Sequence, residues 1–154
     1  MVDVIEILSG FALGLISGII IQRLGFGYSL KEEKIRRLAP LLEAVYPILE
    51  HLSSDSAYAI SIQMRGDDSE FARVLKRVLY SLEEYGEWFD RFQLAGLSPA
   101  LESIDSDLLA RFNGVFTHSR LCKMHGTAYL SQNLGDFADY CATCKNRLKI
   151  RLLS

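Results

Sequence analysis

Residues 7–22 contain no charged side chain, and Gly10, Gly14 and Gly18 recur inside them at intervals of four. In water such a run must be buried on every side, whereas in a bilayer it can stand as a single helix. A helix rises about 1.5 Å per residue, so about 20 residues cross roughly 30 Å of hydrocarbon. Residues 4–24 reach that length if Glu6 and Arg23 extend toward the two interfaces. The start carries Asp3 and Glu6 rather than basic residues, and Ser17-Gly18-Ile19-Ile20-Ile21 is a poor cleavage region. The pattern therefore predicts a retained transmembrane anchor rather than a removed secretory signal. A buried soluble helix, or a segment lying in the interface, is the alternative.

Basic residues set the expected orientation. Arg23, Lys31, Lys34, Arg36 and Arg37 follow the run and none precedes it. The positive-inside rule predicts a single pass through the cell membrane, with the amino terminus outside and the carboxyl-terminal domain in the cytoplasm. Three cysteines suit that compartment, because cytosolic thiols stay reduced and an odd count closes no disulfide framework.

At 100° per residue, Gly10, Gly14 and Gly18 form one ridge with Glu6 and Gln22 at its ends, while Leu8, Ala12, Leu15 and Ile19 face the other way. Without Cβ atoms two helix backbones approach closely enough for dispersion and Cα–H···O contacts to hold them. The ridge predicts association with a second copy or with another membrane protein.

The remainder reads as all-α, a transmembrane anchor and exit over residues 1–28 followed by a small helical bundle over residues 29–154. Ser29-Leu30-Lys31-Glu32 matches a capping box and predicts a new helix there. Its apolar positions run Ile35, Leu38, Leu42, Val45, Leu49, Leu52, with Pro40 and Pro47 predicting a break near Ala39 and a kink near Tyr46. Ser53-Ser54-Asp55-Ser56 reads as a turn or fresh cap, and residues 58–64 as a short helix despite a strand-like alternation. Gly66-Asp67-Asp68-Ser69 ends that piece and caps the next.

The next helix is the clearest. Phe71, Leu75, Val78, Leu82, Tyr85, Phe89 and Phe92 alternate steps of four and three, and Val74, Leu79 and Trp88 widen the stripe into the broad face of a bundle helix rather than a two-stranded seam. Gly96 ends it, and Ser98-Pro99 opens another. Asp105-Ser106-Asp107, just before Leu108-Leu109, reads as a helix cap rather than a paired-carboxylate site.

The one constellation with chemical content gathers all three cysteines: Cys122-x2-His125, fifteen residues, then Cys141-x2-Cys144. Two ligand pairs at this separation match a structural zinc site, and zinc is the one cofactor the sequence suggests. The likeness to a zinc ribbon or treble clef stops at spacing, since Cys144 is followed by Lys145-Asn146 where knuckles carry glycine. Reduced thiols facing a core are the competing reading. A redox or catalytic thiol would have His118, one turn before Cys122, as its only evident base.

Net charge is −2, and residues 111–154 hold seven basic and two acidic side chains, ending in Lys145, Arg147, Lys149 and Arg151. The mildly acidic whole argues against a general nucleic-acid binder, while the basic end could lie against anionic lipid or complement a helix dipole. No phosphate loop, dinucleotide fingerprint, nucleophile elbow or metalloprotease pattern occurs. Two functions follow as expectations: a non-enzymatic, membrane-anchored subunit or adaptor that associates through the glycine ridge, or a membrane-tethered sensor working through zinc or thiol oxidation.

Overall fold

The structure is a computed structural model that describes residues 32–153. Among the described residues five helices follow one another, α1 (Val2–Arg65), α2 (Asp68–Leu94), α3 (Ser98–His125), α4 (Thr127–Gln132) and α5 (Leu134–Leu153), and there is no strand. The all-α expectation holds. The chain forms two compact units, Met1–Arg36 and Arg37–Ser154. The second is the helical bundle, and its core is built as follows.

The predicted span over residues 4–24, with Gly10, Gly14 and Gly18, lies outside the described residues. Among the described residues no helix is long and apolar enough to cross a membrane.

Two expected breaks are absent: α1 runs on through Ala39 and Pro40, with Pro47 also inside it, and residues 53–56 are helical instead of forming a turn. Leu38, Leu42, Val45, Leu49, Leu52, Ala59 and Ile62 are buried along one face of α1, while both prolines are exposed. A proline on the wet side leaves its orphaned carbonyl to water, so the buried face can hold the helix together. Ser54 satisfies its hydroxyl on the Glu50 carbonyl one turn back, which removes its reason to start a turn. Ile35, expected in the apolar stripe, is 40% exposed. Residues 58–64 are helical as expected, but as the last turns of α1.

Gly66, at φ 76°, reverses the chain, and Asp67 caps α2 by accepting from the Glu70 N–H at 3.2 Å. α1 and α2 then run back along each other, tied by the Trp88 indole N–H donating to the Leu41 carbonyl at 2.8 Å. The broad face predicted for α2 is the bundle's centre: Tyr85, Trp88, Phe89 and Phe92 are all at most 1% exposed. Trp88 lies 5.1 Å from Phe112 edge-on and 5.3 Å from Phe92 stacked, and Phe89 stacks on Phe116 at 4.4 Å. Such pairs add about 0.5–1.5 kcal/mol each beyond the area they bury. The Tyr85 hydroxyl, deep in this cluster, donates to the Phe112 carbonyl at 2.8 Å and so joins α2 to α3. Burial, the main cause, pushes its pKa well above the ordinary phenol value, so it keeps its proton and stays a donor.

Gly96 (φ 67°) and Gly126 (φ 69°) close α2 and α3 with left-handed turns. α4 is a single short link, and α5 packs its Phe137, Cys141, Cys144 and Leu148 inward.

Candidate functional site

α3 is not one regular helix. Asp105 sits at φ −155°, ψ 84°, so helix geometry stops there and restarts at Ser106. Its carboxylate accepts the Leu108 N–H at 3.1 Å, which is the capping role read from the sequence. The surroundings of that cap were not expected. Asp105 is 5% exposed and also accepts from Arg147 Nε at 3.0 Å and from Arg151 Nη2 at 3.2 Å. Arg151 reaches the Ile104 carbonyl as well, at 3.3 Å. Asp107 extends the network through Arg111 at 2.9 Å.

Burial alone would raise the Asp105 carboxyl, but hydrogen bonds from Arg147, the Leu108 N–H and Arg151 outweigh it and hold the group below its ordinary value. Two of the four basic residues at the end of the chain are therefore spent on α3 rather than turned to a lipid surface. Their i, i+4 spacing was the legible signal that they share a face; nothing in the sequence said what that face would meet.

The cysteine-histidine constellation has a different outcome. Cys122 lies on the last turns of α3, and Cys141 and Cys144 lie on the inner face of α5; all three are buried and reduced. His125 is exposed, with its ring near Tyr129. Among the described residues no group of three or more His, Cys, Asp or Glu side chains is placed to hold a metal ion. The predicted zinc centre at Cys122, His125, Cys141 and Cys144 therefore finds no support among the described residues. In a continuous helix a two-residue gap sets both cysteines on the core-facing stripe, where each packs as a small apolar side chain; a ribbon or knuckle would need a turn.

Burial also silences the thiols. It pushes Cys122 up to about 11, and burial with the nearby Cys144 raises Cys141 still further. Cys144 is pushed up to about 12, again chiefly by burial. A thiol near 11 carries on the order of a hundredfold less thiolate at neutral pH than a free cysteine. Ellman titration of the native chain should find all three cysteines slow, with full reaction only after denaturant is added. A single rapidly reacting thiol in the native state would contradict this burial.

His118 does not serve a cysteine. Its Nδ1 shares a 2.9 Å hydrogen bond with the Tyr129 hydroxyl, and its ring meets Phe137 at 5.6 Å and Tyr140 at 5.7 Å. Burial lowers its pKa, opposed by the charge of Asp136, so the imidazole is neutral at neutral pH. This aromatic box pins α3, α4 and α5 together. Gly114 is part of the same fit: a Cβ there would collide with the Tyr140 phenol. Only glycine lets Tyr140 lie across α3 at this level. The sequence offered no pattern for the box, because its members come from three separate segments.

No protein-family model, curated protein or solved structure matches the chain.

Proposed function

We propose that the chain is a non-enzymatic, membrane-anchored helical subunit or adaptor, associating in the bilayer through Gly10, Gly14 and Gly18. The observation that carries this reading is the uncharged run of residues 7–22 followed by five basic residues. The bundle's chemistry is in keeping with it. Asp105 is occupied by two guanidinium groups, the cysteines are protonated core residues, and His118 is held by Tyr129. These groups are engaged in holding the bundle together. The sensor alternative loses its support from the same placements, since it needs convergent ligands or an accessible thiolate.

Carbonate extraction tests the anchor, together with protease accessibility of a carboxyl-terminal tag in sealed vesicles. The expected result is retention in the membrane with the tag protected on the cytoplasmic side; release into the carbonate supernatant would sink the reading.

The ridge has its own test. Gly14→Ile should weaken association in detergent, because a branched side chain blocks backbone approach, whereas Leu15→Ile on the opposite face should change little. Equal effects would leave no case for a specific face.

A further inference from the structure

The chain enters the bundle at Arg37, and two hydrogen bonds fix what else lies at that end. The Trp88 indole on the Leu41 carbonyl sets the last turns of α2 beside the first turns of the bundle's α1 segment. Arg151 on the Ile104 carbonyl sets the last turn of α5 beside the first turns of α3. The α2–α3 turn and the close of α5 therefore share the end where Arg37 enters.

That end is apolar where it meets solvent. Residues 92–101 carry no charged side chain, and within them Gln93, Leu94, Ala95, Gly96 and Pro99 are exposed. Leu94 is 87% exposed and Leu153, at the close of α5, is 79% exposed, with Ile150 also exposed one turn before it. The opposite end is built differently. Arg65, Asp67, Asp68 and Glu70 surround the turn at Gly66, and Lys123 and Asp136 flank α4. Charged residues of that kind are what a helix connection in water ordinarily carries, so the uncharged α2–α3 turn is the exception.

We propose that this end of the bundle rests in the interfacial layer of the membrane that holds residues 4–24, with Leu94 and Leu153 inserted at the boundary between headgroups and acyl chains. The inference rests on the anchor proposed above and adds which part of the domain meets lipid. Residues 25–36 are all that separate Leu24 from Arg37, a reach of at most about 40 Å. The tether makes the contact intramolecular, so apolar side chains too few to capture a membrane from solution are enough to hold this end against it. Arg91 and Lys149, each one turn back from an inserted leucine, are exposed; their stems can lie along the apolar layer while their charges stay among the headgroups. The exposed Asp90 and Glu102 near the same end offset them, so the contact is apolar and does not depend on anionic lipid.

The test uses the full chain reconstituted in phosphatidylcholine vesicles. A nitrobenzoxadiazole probe is attached in separate preparations at Leu94→Cys, Leu153→Cys and Met64→Cys. The three native cysteines are buried, so brief labelling reaches the introduced thiol. Met64, 85% exposed at the opposite end, is the reference, and exposure at all three positions leaves the fold indifferent to the change. The chain should float with the vesicles. Quenching by lipid spin-labelled near the headgroup should be at least about threefold stronger at positions 94 and 153 than at position 64. A chain that does not float overturns the anchor and this inference together. A chain that floats while positions 94 and 153 stay in water, or are quenched no more than position 64, overturns this inference and leaves the anchor standing. Probes shielded from water yet unquenched by lipid overturn it too, by giving this end to a protein, either a second copy or another partner.

Discussion

Trp88→Ala is expected to remove about 4 kcal/mol from the bundle, most of the margin of a domain at the low end of ordinary stability. The indole is 1% exposed and is met by rings from two helices, Phe92 on its own helix and Phe112 on α3. Its N–H also reaches a third, at the Leu41 carbonyl of α1. Truncation therefore opens a cavity where three helices meet, and the rigid rings around it cannot collapse to fill it. Trp88→Phe keeps most of the volume and loses the hydrogen bond, so about 1–2 kcal/mol is expected. Urea denaturation followed by far-ultraviolet circular dichroism measures both, since Trp88 is the only tryptophan and its fluorescence disappears with it. Near-equal midpoints for Trp88→Ala and the parent chain would contradict its central place in the core.

Asp105→Ala should cost about 3 kcal/mol through two losses at one site: the cap on the second half of α3 and the partner of two guanidinium groups. Asp105→Asn, which keeps an acceptor for the Leu108 N–H but not the charge, should cost less, about 2 kcal/mol. The pH dependence follows from the lowered carboxyl. In the folded chain Asp105 titrates below its unfolded value near 3.9, so its contribution is fully present above that pH. As the pH falls through the lower folded value, the carboxyl takes up a proton and the contribution is lost. Denaturation midpoints of the parent chain should thus decline with acid below about pH 4, and more steeply than those of Asp105→Asn. Trp88 fluorescence reports both. Parallel acid profiles would mean that Arg147 and Arg151 hold Asp105 no better than water does.

These two residues differ in how far the sequence announced them. Trp88 was placed in the core by periodicity: with Val74 and Leu79 it widened a seven-residue pattern into a face broad enough to be buried on several sides, and that is its setting. Asp105 was read only as a cap. A cap is a local device, settled by the residues that follow it within one turn, and sequence spacing carries it. The two arginines that make Asp105 a buried anchor come from more than forty positions later, and only the packing of α5 against α3 brings them there.

The same division runs through the rest of the bundle. Local chemistry was enough for the left-handed turns at Gly66 and Gly96, the Asp67 cap and the aromatic stripe of α2, because glycine's freedom, a side-chain acceptor and a helical repeat act over a few residues. Local chemistry misled at Pro40 and at residues 53–56, where the breaker signals were real but the buried face from Leu38 to Ile62 outweighed them. At Cys122, His125, Cys141 and Cys144 it left two readings open. Spacing along the chain is compatible with a zinc site and with a core-facing helical stripe alike, and only the orientation of α3 and α5 decides between them. The sequence by itself determined that this part of the chain is all helix, where α2 begins and ends, and which face of it is wet. The tertiary structure decided that the cysteines are core, that His118 answers to Tyr129, and that Arg147 and Arg151 are spent on one buried carboxylate. Those outcomes depend on which distant segments meet, and no pattern within a few turns of sequence encodes that.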